Sequence, residues 1–340
     1  MTSEVYSGDF PEDLFPPKSV HAAAYARRLE IGYERMSNSS IVLVGLARNV
    51  SQIIARTASR MEKLGSSFDR YQIYIFENDS SDGTVDQLKA WAERNPRMHF
   101  TSEQHAAPAS LPIRCTDRAA RMAAYRAACQ AMVRKDFFDY QFVAIIDTDL
   151  EGGWSHDGIA STFGYSDWDF VGSNGLIYRR SGFRINATLQ YDAWAYRDSP
   201  DYRPMGTKTV NRIEYHRGEP MVPLPCCFGG LGLYRMPAYL AGEYSGGDIE
   251  HVSFHRSIRN CGFDRTFINP DQIAVYGRRN RSGDRLLLAV HSMLRNLFPN
   301  RFQEWRFPNP IKQPKEAIES EIHAKQRTEI PSEINCSRAA

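Results

Sequence analysis

Apolar runs alternate with segments of helical periodicity along the first 150 residues. Four apolar runs predict buried strands, at 41–47, 71–76, 98–101 and 142–146. Recurring apolar side chains predict helices at 18–36, from 53 to about 64, from 85 to about 95 and at 116–134. This alternation predicts an α/β fold with a Rossmann-like, mostly parallel sheet flanked by helices. After residue 150 the spacing becomes irregular and rich in aromatic residues, which indicates a smaller mixed region.

Polar and acidic residues gather where three of these strands end. The segments are Ala47-Arg48-Asn49, Glu77-Asn78-Asp79 with Asp82 shortly after, and Asp147-Thr148-Asp149. Ligands of open α/β sheets bind beyond the carboxyl ends of the strands, so we expect these side chains to lie close together. Two aspartates that flank one residue can hold a divalent cation, which can in turn bridge to a diphosphate. The pattern therefore predicts a Mn²⁺ or Mg²⁺ site at this edge.

A purely structural interpretation fits some of the same residues. An Asp-x-Asp triplet after a strand is common in loops and helix caps. Asp82 or Thr84 can cap the helix that follows them. We expect the segment at 77–84 to serve both as a cap and as part of a ligand site.

Composition and missing motifs argue against several other classes of protein. The 42 basic and 40 acidic residues leave a net charge of +2, unlike a nucleic-acid binder. The sequence has no GxGxxG loop after the first strand and no GxxxxGK[ST], so dinucleotide-binding and P-loop functions lose their main support. Its six cysteines show no zinc spacing, and no stretch approaches the roughly 20 apolar residues that span a bilayer. The first residues resemble no signal or transit peptide, so we expect a cytoplasmic protein.

Six segments, two of which contain strand ends named above, form a wider pattern. The segments are ENDSSDGT (77–84), RAARMAAYR (118–126), DTDLEGGW (147–154), YDAWAYRD (191–198), CCFGGLGLYR (226–235) and EHVSFH (250–255) followed by INP. Together they resemble the GT-A type of glycosyltransferase over about residues 40–270. More narrowly, they resemble the fungal capsule-associated α-1,3-mannosyltransferase family and its bacterial relatives.

The resemblance implies a domain organisation and an activity. It implies a lead-in and helix at 1–36, a GT-A domain at 37–275 and a C-terminal extension at 276–340. Within the domain, 37–150 would be the nucleotide-binding half and 151–275 the acceptor half. The implied activity transfers a sugar from a nucleoside-diphosphate sugar to a hydroxyl of a glycan or lipid-linked saccharide, in polysaccharide biosynthesis.

The resemblance also implies roles for individual residues. The expected nucleotide-binding residues are Ala47, Arg48, Asn49, Glu77, Asp79, Asp82, Arg118, Arg121, Asp147 and Gly230. Arg118 and Arg121, one helical turn apart, would reach phosphate oxygens, although a solvated helix face is the alternative. Asp147 and Asp149 would hold Mn²⁺ or Mg²⁺, with His255 or His291 as the third ligand.

The expected catalytic residues are Glu250 and, second to it, Asp248, since GT-A enzymes carry an acidic motif at the start of a helix here. If the reaction inverts the anomeric centre, Glu250 would take the proton of the acceptor hydroxyl. If it retains, as the fungal family implies, these carboxylates would orient the acceptor. A helix cap or salt bridge is the structural alternative for Glu250.

The sequence leaves two questions open: which nucleotide sugar is the donor, and whether the protein belongs to another functional class. The fungal resemblance favours GDP-mannose, although the residues do not exclude UDP-sugars. One alternative is a sugar-1-phosphate nucleotidyltransferase, which would need a glycine-rich basic loop after the first strand that residues 45–52 lack. The other is an inactive carbohydrate-binding relative, against which the intact Asp147, Asp149 and Glu250 argue.

The segment 284–298 is amphipathic with basic edges. It predicts either a helix that packs on its own domain or one that lies at a membrane surface, close to a lipid-linked acceptor. On the second interpretation the protein would bind the inner face of the membrane.

Overall fold

The computed structural model describes residues 9–106, 116–181 and 184–278, with only the backbone given at 178–181, 184–188 and 278. The helices are α1 (Ala22–Ser37), α2 (Ile54–Gly65), α3 (Thr84–Arg94), α4 (Thr116–Asp136), α5 (His156–Gly164), α6 (Thr207–Val210), α7 (Met236–Ala241) and α8 (Glu250–Asn260). The strands are β1 (Ser40–Ala47), β2 (Arg70–Asn78), β3 (Met98–Glu103), β4 (Phe142–Asp147), β5 (Gly153–Trp154), β6 (Phe170–Ser181), β7 (Arg184–Gln190), β8 (Val222–Pro223), β9 (Leu231–Arg235) and β10 (Thr266–Arg278).

One mixed sheet runs through the whole described chain. Its strand order is β3-β2-β1-β4-β9-β6-β10-β5, with β7 paired to β6 and β8 to β10. The first four strands are parallel, whereas β9 is antiparallel to both β4 and β6. The predicted α/β fold, with a mostly parallel sheet flanked by helices and a mixed second region, is confirmed.

The continuous apolar runs reflect burial of both faces of this sheet. In β1, Ile41 and Leu43 pack into the cluster that contains Met61 of α2. Val42 and Val44 alternate with them and face the opposite cluster, which contains Val133 of α4. Since successive side chains of a strand point to opposite faces, a strand covered on both sides needs apolar residues at every position.

The order of connections creates a crevice between β1 and β4. From β1 the chain moves outward through β2 to β3, and α4 then carries it back to β4 on the other side of β1. In an open α/β sheet, ligands bind at such a reversal, beyond the carboxyl ends of the strands. The register aligns these ends, because Ala47 lies opposite Glu77 and Leu46 opposite Asp147.

The N-terminal helix is part of the packed structure. Gly32 of α1 lies so close to α5 that an added Cβ would be 1.8 Å from the carbonyl oxygen of Ala160. Arg28 also forms an ion pair at 2.9 Å with the fully buried Asp271 of β10. Both contacts hold α1 against the sheet on the side of β10, away from the β1–β4 crevice.

Several sequence predictions concern residues that the structure does not describe. The segment 284–298 and His291 lie outside the described residues, as does nearly all of 276–340. None of the described helices is both long and apolar enough to cross a membrane.

Candidate active site

The loops that follow β1 and β2 are joined by hydrogen bonds. The backbone N–H of Asn49, a left-handed residue with φ 52°, donates to Ser80 Oγ at 2.9 Å. The N–H of Ser51 donates to Asp82 Oδ2 at 3.0 Å, and the hydroxyl of Thr84 donates to Asp82 Oδ1 at 2.6 Å. Although desolvation opposes it, these hydrogen bonds lower the pKa of Asp82 to about 2. Asp82 therefore ties the two loops together at the start of α3.

Glu77 and Asp79 organise the same edge from β2. The carboxylate of the fully buried Glu77 accepts from the N–H of Ser80 at 2.8 Å and from the hydroxyl of Ser102 on β3. Asp79, left-handed with φ 51°, accepts from the N–H of His105 at 2.7 Å. Both carboxylates thus stabilise the backbone conformation where β2 and β3 end.

Aromatic rings and arginines line the crevice beside these loops. Tyr125 of α4 stacks on Phe76 with 5.5 Å between ring centroids and lies 5.4 Å from the ring of His105. Burial, and then the charge of Asp79, raise the pKa of Tyr125, whereas Arg121 and Arg48 oppose the shift. Arg48 and Arg121 therefore both lie near the Tyr125 hydroxyl, as a ligand-binding wall would require.

The Asp147 carboxylate is held from two sides. Its Oδ1 accepts from Arg126 Nη2 at 2.9 Å, and its Oδ2 accepts from the hydroxyl of Tyr191 at 2.9 Å. Its backbone N–H donates to the carbonyl oxygen of Gly230 at 2.9 Å. Gly230 has φ 88°, and an added Cβ would lie 2.9 Å from Leu150, so the predicted glycine loop supports Asp147 directly.

Asp149 is affected by burial and by the charge of a second carboxylate, that of Asp147. Burial, and then the charge of Asp147, raise the pKa of Asp149 to about 6, while a hydrogen bond from Tyr276 acts against the shift. The ring of Tyr276 stacks on Tyr191 with 4.6 Å between centroids and 13° between planes. Two tyrosines from distant strands therefore buttress the two aspartates.

A single buried guanidinium faces several carboxylates. Arg126 is 1% exposed, and its Nε and Nη1 have no hydrogen-bond partner among the described residues. Although burial opposes it, the charges of Asp147 and Glu250 help to hold the pKa of Arg126 above its usual range. Burial raises the pKa of Glu250, which the charge of Asp147 raises further. More than one acidic side chain of this centre therefore acts on Arg126.

The two acidic residues at the start of α8 differ in their surroundings. The Asp248 carboxylate accepts from Arg197 Nη2 at 3.3 and 3.4 Å and from the N–H of Ile249 at 2.7 Å. Arg197, 2% exposed, also donates to the carbonyl oxygen of Tyr202 at 2.9 Å. Asp248 thus anchors the start of α8, whereas Glu250 faces Arg126 and Asp147.

The structure does not bring His255 to the aspartates. Its ring is fully buried, with 2.8 Å between Nε2 and the hydroxyl of Tyr234 and 4.1 Å to the ring of Phe170. Burial lowers its pKa to about 3. Within the described part of the chain, no group of three or more His, Cys, Asp and Glu residues is arranged to hold a metal ion. We therefore describe His255 as a core residue.

The remaining sequence-predicted residues divide into two groups. Ala47 and Asn49 lie at the end of β1, next to the Asp82 loop. Arg121 is half-buried, and its Nη1 has no hydrogen-bond partner among the described residues, whereas Arg118 is exposed. The charge of Arg118 still acts on Asp147 and Glu250.

The sequence analysis assigned no role to Arg126, Asp192 or Tyr276. Arg126 ends the segment 118–126, and Tyr191 and Asp192 begin the segment 191–198, so both segments carried a signal. Tyr276 is on β10, one residue beyond the end that the sequence analysis predicted for the GT-A domain, at 275.

Comparison with known proteins gives matches at the level of structure. A scan against models of protein families finds no match, and a search of curated proteins finds none either. A mannosyltransferase from Pyrobaculum calidifontis, in complex with GDP-Man and Mn²⁺, is 14% identical, with 89% of this chain and 80% of that one covered and a TM-score of 0.44. Glucosyl-3-phosphoglycerate synthase from Mycobacterium tuberculosis, in complex with Mn²⁺ and UDP, is 13% identical, with 80% and 83% covered and a TM-score of 0.42.

A third structure, GalNAc-T7 with UDP, GalNAc and Mn²⁺, is 11% identical over 72% of this chain, with a TM-score of 0.43. The chain spans 45% of the length of that structure. With TM-scores below 0.5 throughout, the function of this chain is inferred from its own residues.

Proposed function

We propose that the chain is a GT-A-type glycosyltransferase that uses a divalent cation and a nucleoside-diphosphate sugar. The observation that carries the proposal is the position of Asp147 and Asp149. They follow β4 at the reversal of strand order beside β1, where an α/β sheet binds its ligand. The narrower relationship to fungal capsule-associated mannosyltransferases stays a prediction.

The residues around Asp147 fit a divalent cation. Burial raises the pKa of Asp147, Asp149, Asp192 and Glu250, and the charge of Asp147 raises the pKa of the other three further. A buried carboxylate needs a compensating charge, and the fully buried guanidinium beside them is that of Arg126. Asp147 and Asp149 would hold Mn²⁺ or Mg²⁺ through their oxygens. Such an ion neutralises the charge that a departing diphosphate develops.

The chain's own residues would bind the rest of the donor. Arg48, Arg121 and Arg118 would neutralise phosphate oxygens; the charges of the first two act on Tyr125, and that of Arg118 acts on Asp147. Tyr125 and His105 offer ring faces on which a base can stack.

Glu250 is the carboxylate that we propose interacts with the hydroxyl of the acceptor. Its pKa is raised by burial, which brings a carboxyl group closer to the range suited to accepting a proton. In an inverting reaction it would take the proton; in a retaining reaction it would orient the hydroxyl. Asp248 would position Glu250 through its bond to Arg197.

A sugar-1-phosphate nucleotidyltransferase fits the structure less well. It would need a flexible, glycine-rich basic loop directly after β1. Here the residues after Arg48 are hydrogen-bonded to Ser80, Asp82 and Thr84, and the segment contains no glycine between Leu46 and Gln52.

The proposal is tested by incubating the protein with GDP-mannose and a panel of UDP-sugars and measuring release of the nucleoside diphosphate. We expect release from at least one donor, dependent on Mn²⁺ or Mg²⁺ and abolished by a chelator. We propose GDP-mannose as the first donor to test, with a glycan or lipid-linked saccharide as acceptor. If no donor is turned over and neither GDP nor UDP binds in a metal-dependent way in calorimetry, the proposed function is wrong.

A further inference from the structure

Asp192 is the one acid of this centre to which neither sequence nor comparison gave a role. It follows β7 and the residue whose hydroxyl holds Asp147, Tyr191. Its backbone is left-handed, with φ 57°. Aspartate and asparagine adopt this conformation more readily than other residues with a Cβ. The turn explains why a short polar side chain is found here, but not why that side chain is a carboxylate.

The carboxylate of Asp192 lacks the partners that a structural aspartate has. Its Oδ2 is buried and has no hydrogen-bond partner among the described residues. The charges that act on it are those of Glu250 and Asp147, which repel it, and those of Arg126 and Arg197, which attract it. Neither arginine donates a hydrogen bond to it in the described part of the chain, since Arg126 donates to Asp147 and Arg197 to Asp248 and to main-chain oxygens.

Asp271 is a buried carboxylate with a structural role, and its hydrogen bonds can be compared with those of Asp192. It is fully buried and accepts from Arg28, from the hydroxyl of Ser161 and from the N–H of Gly218. Leaving a buried polar atom unpaired is costly, so such an atom in a stable fold has a role beyond packing. The charges of Glu250, the proposed catalytic carboxylate, and of Arg126 both act on Asp192. Arg126 is fully buried and leaves two nitrogens without a hydrogen-bond partner among the described residues.

We propose that Asp192 binds the substrate by accepting a hydrogen bond from a sugar hydroxyl between Asp147 and Glu250. The inference rests on the proposed function, because that function places a sugar at this point. The hydroxyl belongs either to the sugar of the donor or to the acceptor. Both have the same chemistry: a neutral O–H group that replaces the missing partner of the carboxylate oxygen.

The test compares Asp192→Asn with Asp198→Asn, an exposed aspartate of the same segment. Asparagine keeps the shape of the side chain and tolerates φ 57°, so the variant should fold. With Mn²⁺ present, calorimetry measures the affinity for GDP and for GDP-mannose, or for the UDP pair if UDP-sugars are the donors. Release of nucleoside diphosphate is measured with water alone and with added methyl glycosides, and thermal unfolding is followed without metal.

If the hydroxyl belongs to the donor, Asp192→Asn weakens binding of the nucleotide sugar at least about 10-fold while binding of the nucleoside diphosphate is unchanged. If it belongs to the acceptor, both affinities are unchanged and release falls at least about 10-fold. In both cases Tm without metal stays the same or rises, since the change removes the repulsion of Asp192 by Glu250 and Asp147. A purely structural aspartate would lower Tm instead. Unchanged affinities and unchanged release, or a lowered Tm, would overturn the inference, whereas a wild-type protein that binds no nucleotide would overturn the proposed function first.

Discussion

Replacing Asp149 by asparagine is expected to reduce metal-dependent turnover of the donor by about 100- to 1000-fold, since the amide is a poor ligand for a hard cation. Folding should be preserved, because Asp149 is repelled by Asp147 and the change removes that repulsion. Turnover is measured as release of nucleoside diphosphate, and Mn²⁺ affinity by titration in the presence of GDP or UDP. We expect the affinity to fall together with the turnover.

The matched control for a metal ligand is His255→Gln. This change removes a hydrogen bond to Tyr234 in the core, so we expect a loss of about 1–3 kcal/mol in the free energy of unfolding. Affinity for Mn²⁺ should stay at the wild-type value. If His255→Gln loses Mn²⁺ while Asp149→Asn keeps it, the assignment of the cation to the aspartates is wrong.

Replacing Arg126 by methionine is expected to destabilise the fold by about 3–5 kcal/mol, because it leaves Asp147 and its neighbours without their buried counter-charge. Turnover should also be lost, since Asp147 is no longer oriented. Denaturant unfolding measures the first effect. Added Mn²⁺ should stabilise Arg126→Met more than it stabilises the wild type, because the cation compensates the same carboxylates.

Arg118→Met is the control for Arg126→Met. Arg118 is on the same helix but is exposed, so its replacement should change the free energy of unfolding by less than about 0.5 kcal/mol. Arg126→Lys keeps the charge without the planar fork and should recover part of the stability. If Arg126→Met is as stable as Arg118→Met, then Arg126 does not neutralise this centre.

The sheet and its acidic edge could be predicted because their signals are local. The apolar runs at 41–47 and 142–146 each end in polar residues, and the parallel pairing of β1 with β4 then aligns Leu46 with Asp147. The alternation of helices and strands also indicated a mostly parallel sheet. The position of the fourth strand in the chain was therefore enough to place Asp147 and Asp149 at the carboxyl end of that strand.

The choice among the arginines of α4 could not be made from the sequence. The helix carries arginines at 118, 121, 126 and 134, and which of them is buried depends on how the helix rotates against β2 and α8. Sequence reasoning chose Arg118 and Arg121, whereas the structure buries Arg126 against Asp147. A charged residue becomes buried only where distant segments provide its partner, and no local pattern contains that information.

The prediction of His255 as a metal ligand differs from its position in the structure for a related reason. Its position in EHVSFH suggested a ligand near the acidic motif, but helical spacing directs it into the core beside Phe170 and Tyr234. Both rings come from strands that lie far away in the sequence. Asp192 could not be identified from the sequence, because the charges that act on it belong to Glu250, Asp147, Arg126 and Arg197, which are distant in the chain or on other elements.

Anomalous diffraction from crystals grown with Mn²⁺ and the nucleoside diphosphate of the active donor tests the central claim most directly. We predict one manganese peak in contact with the carboxylate oxygens of Asp147 or Asp149 and with oxygens of the diphosphate, in the crevice between β1 and β4. A peak elsewhere in the molecule, or a bound nucleotide without manganese beside these aspartates, would contradict the account.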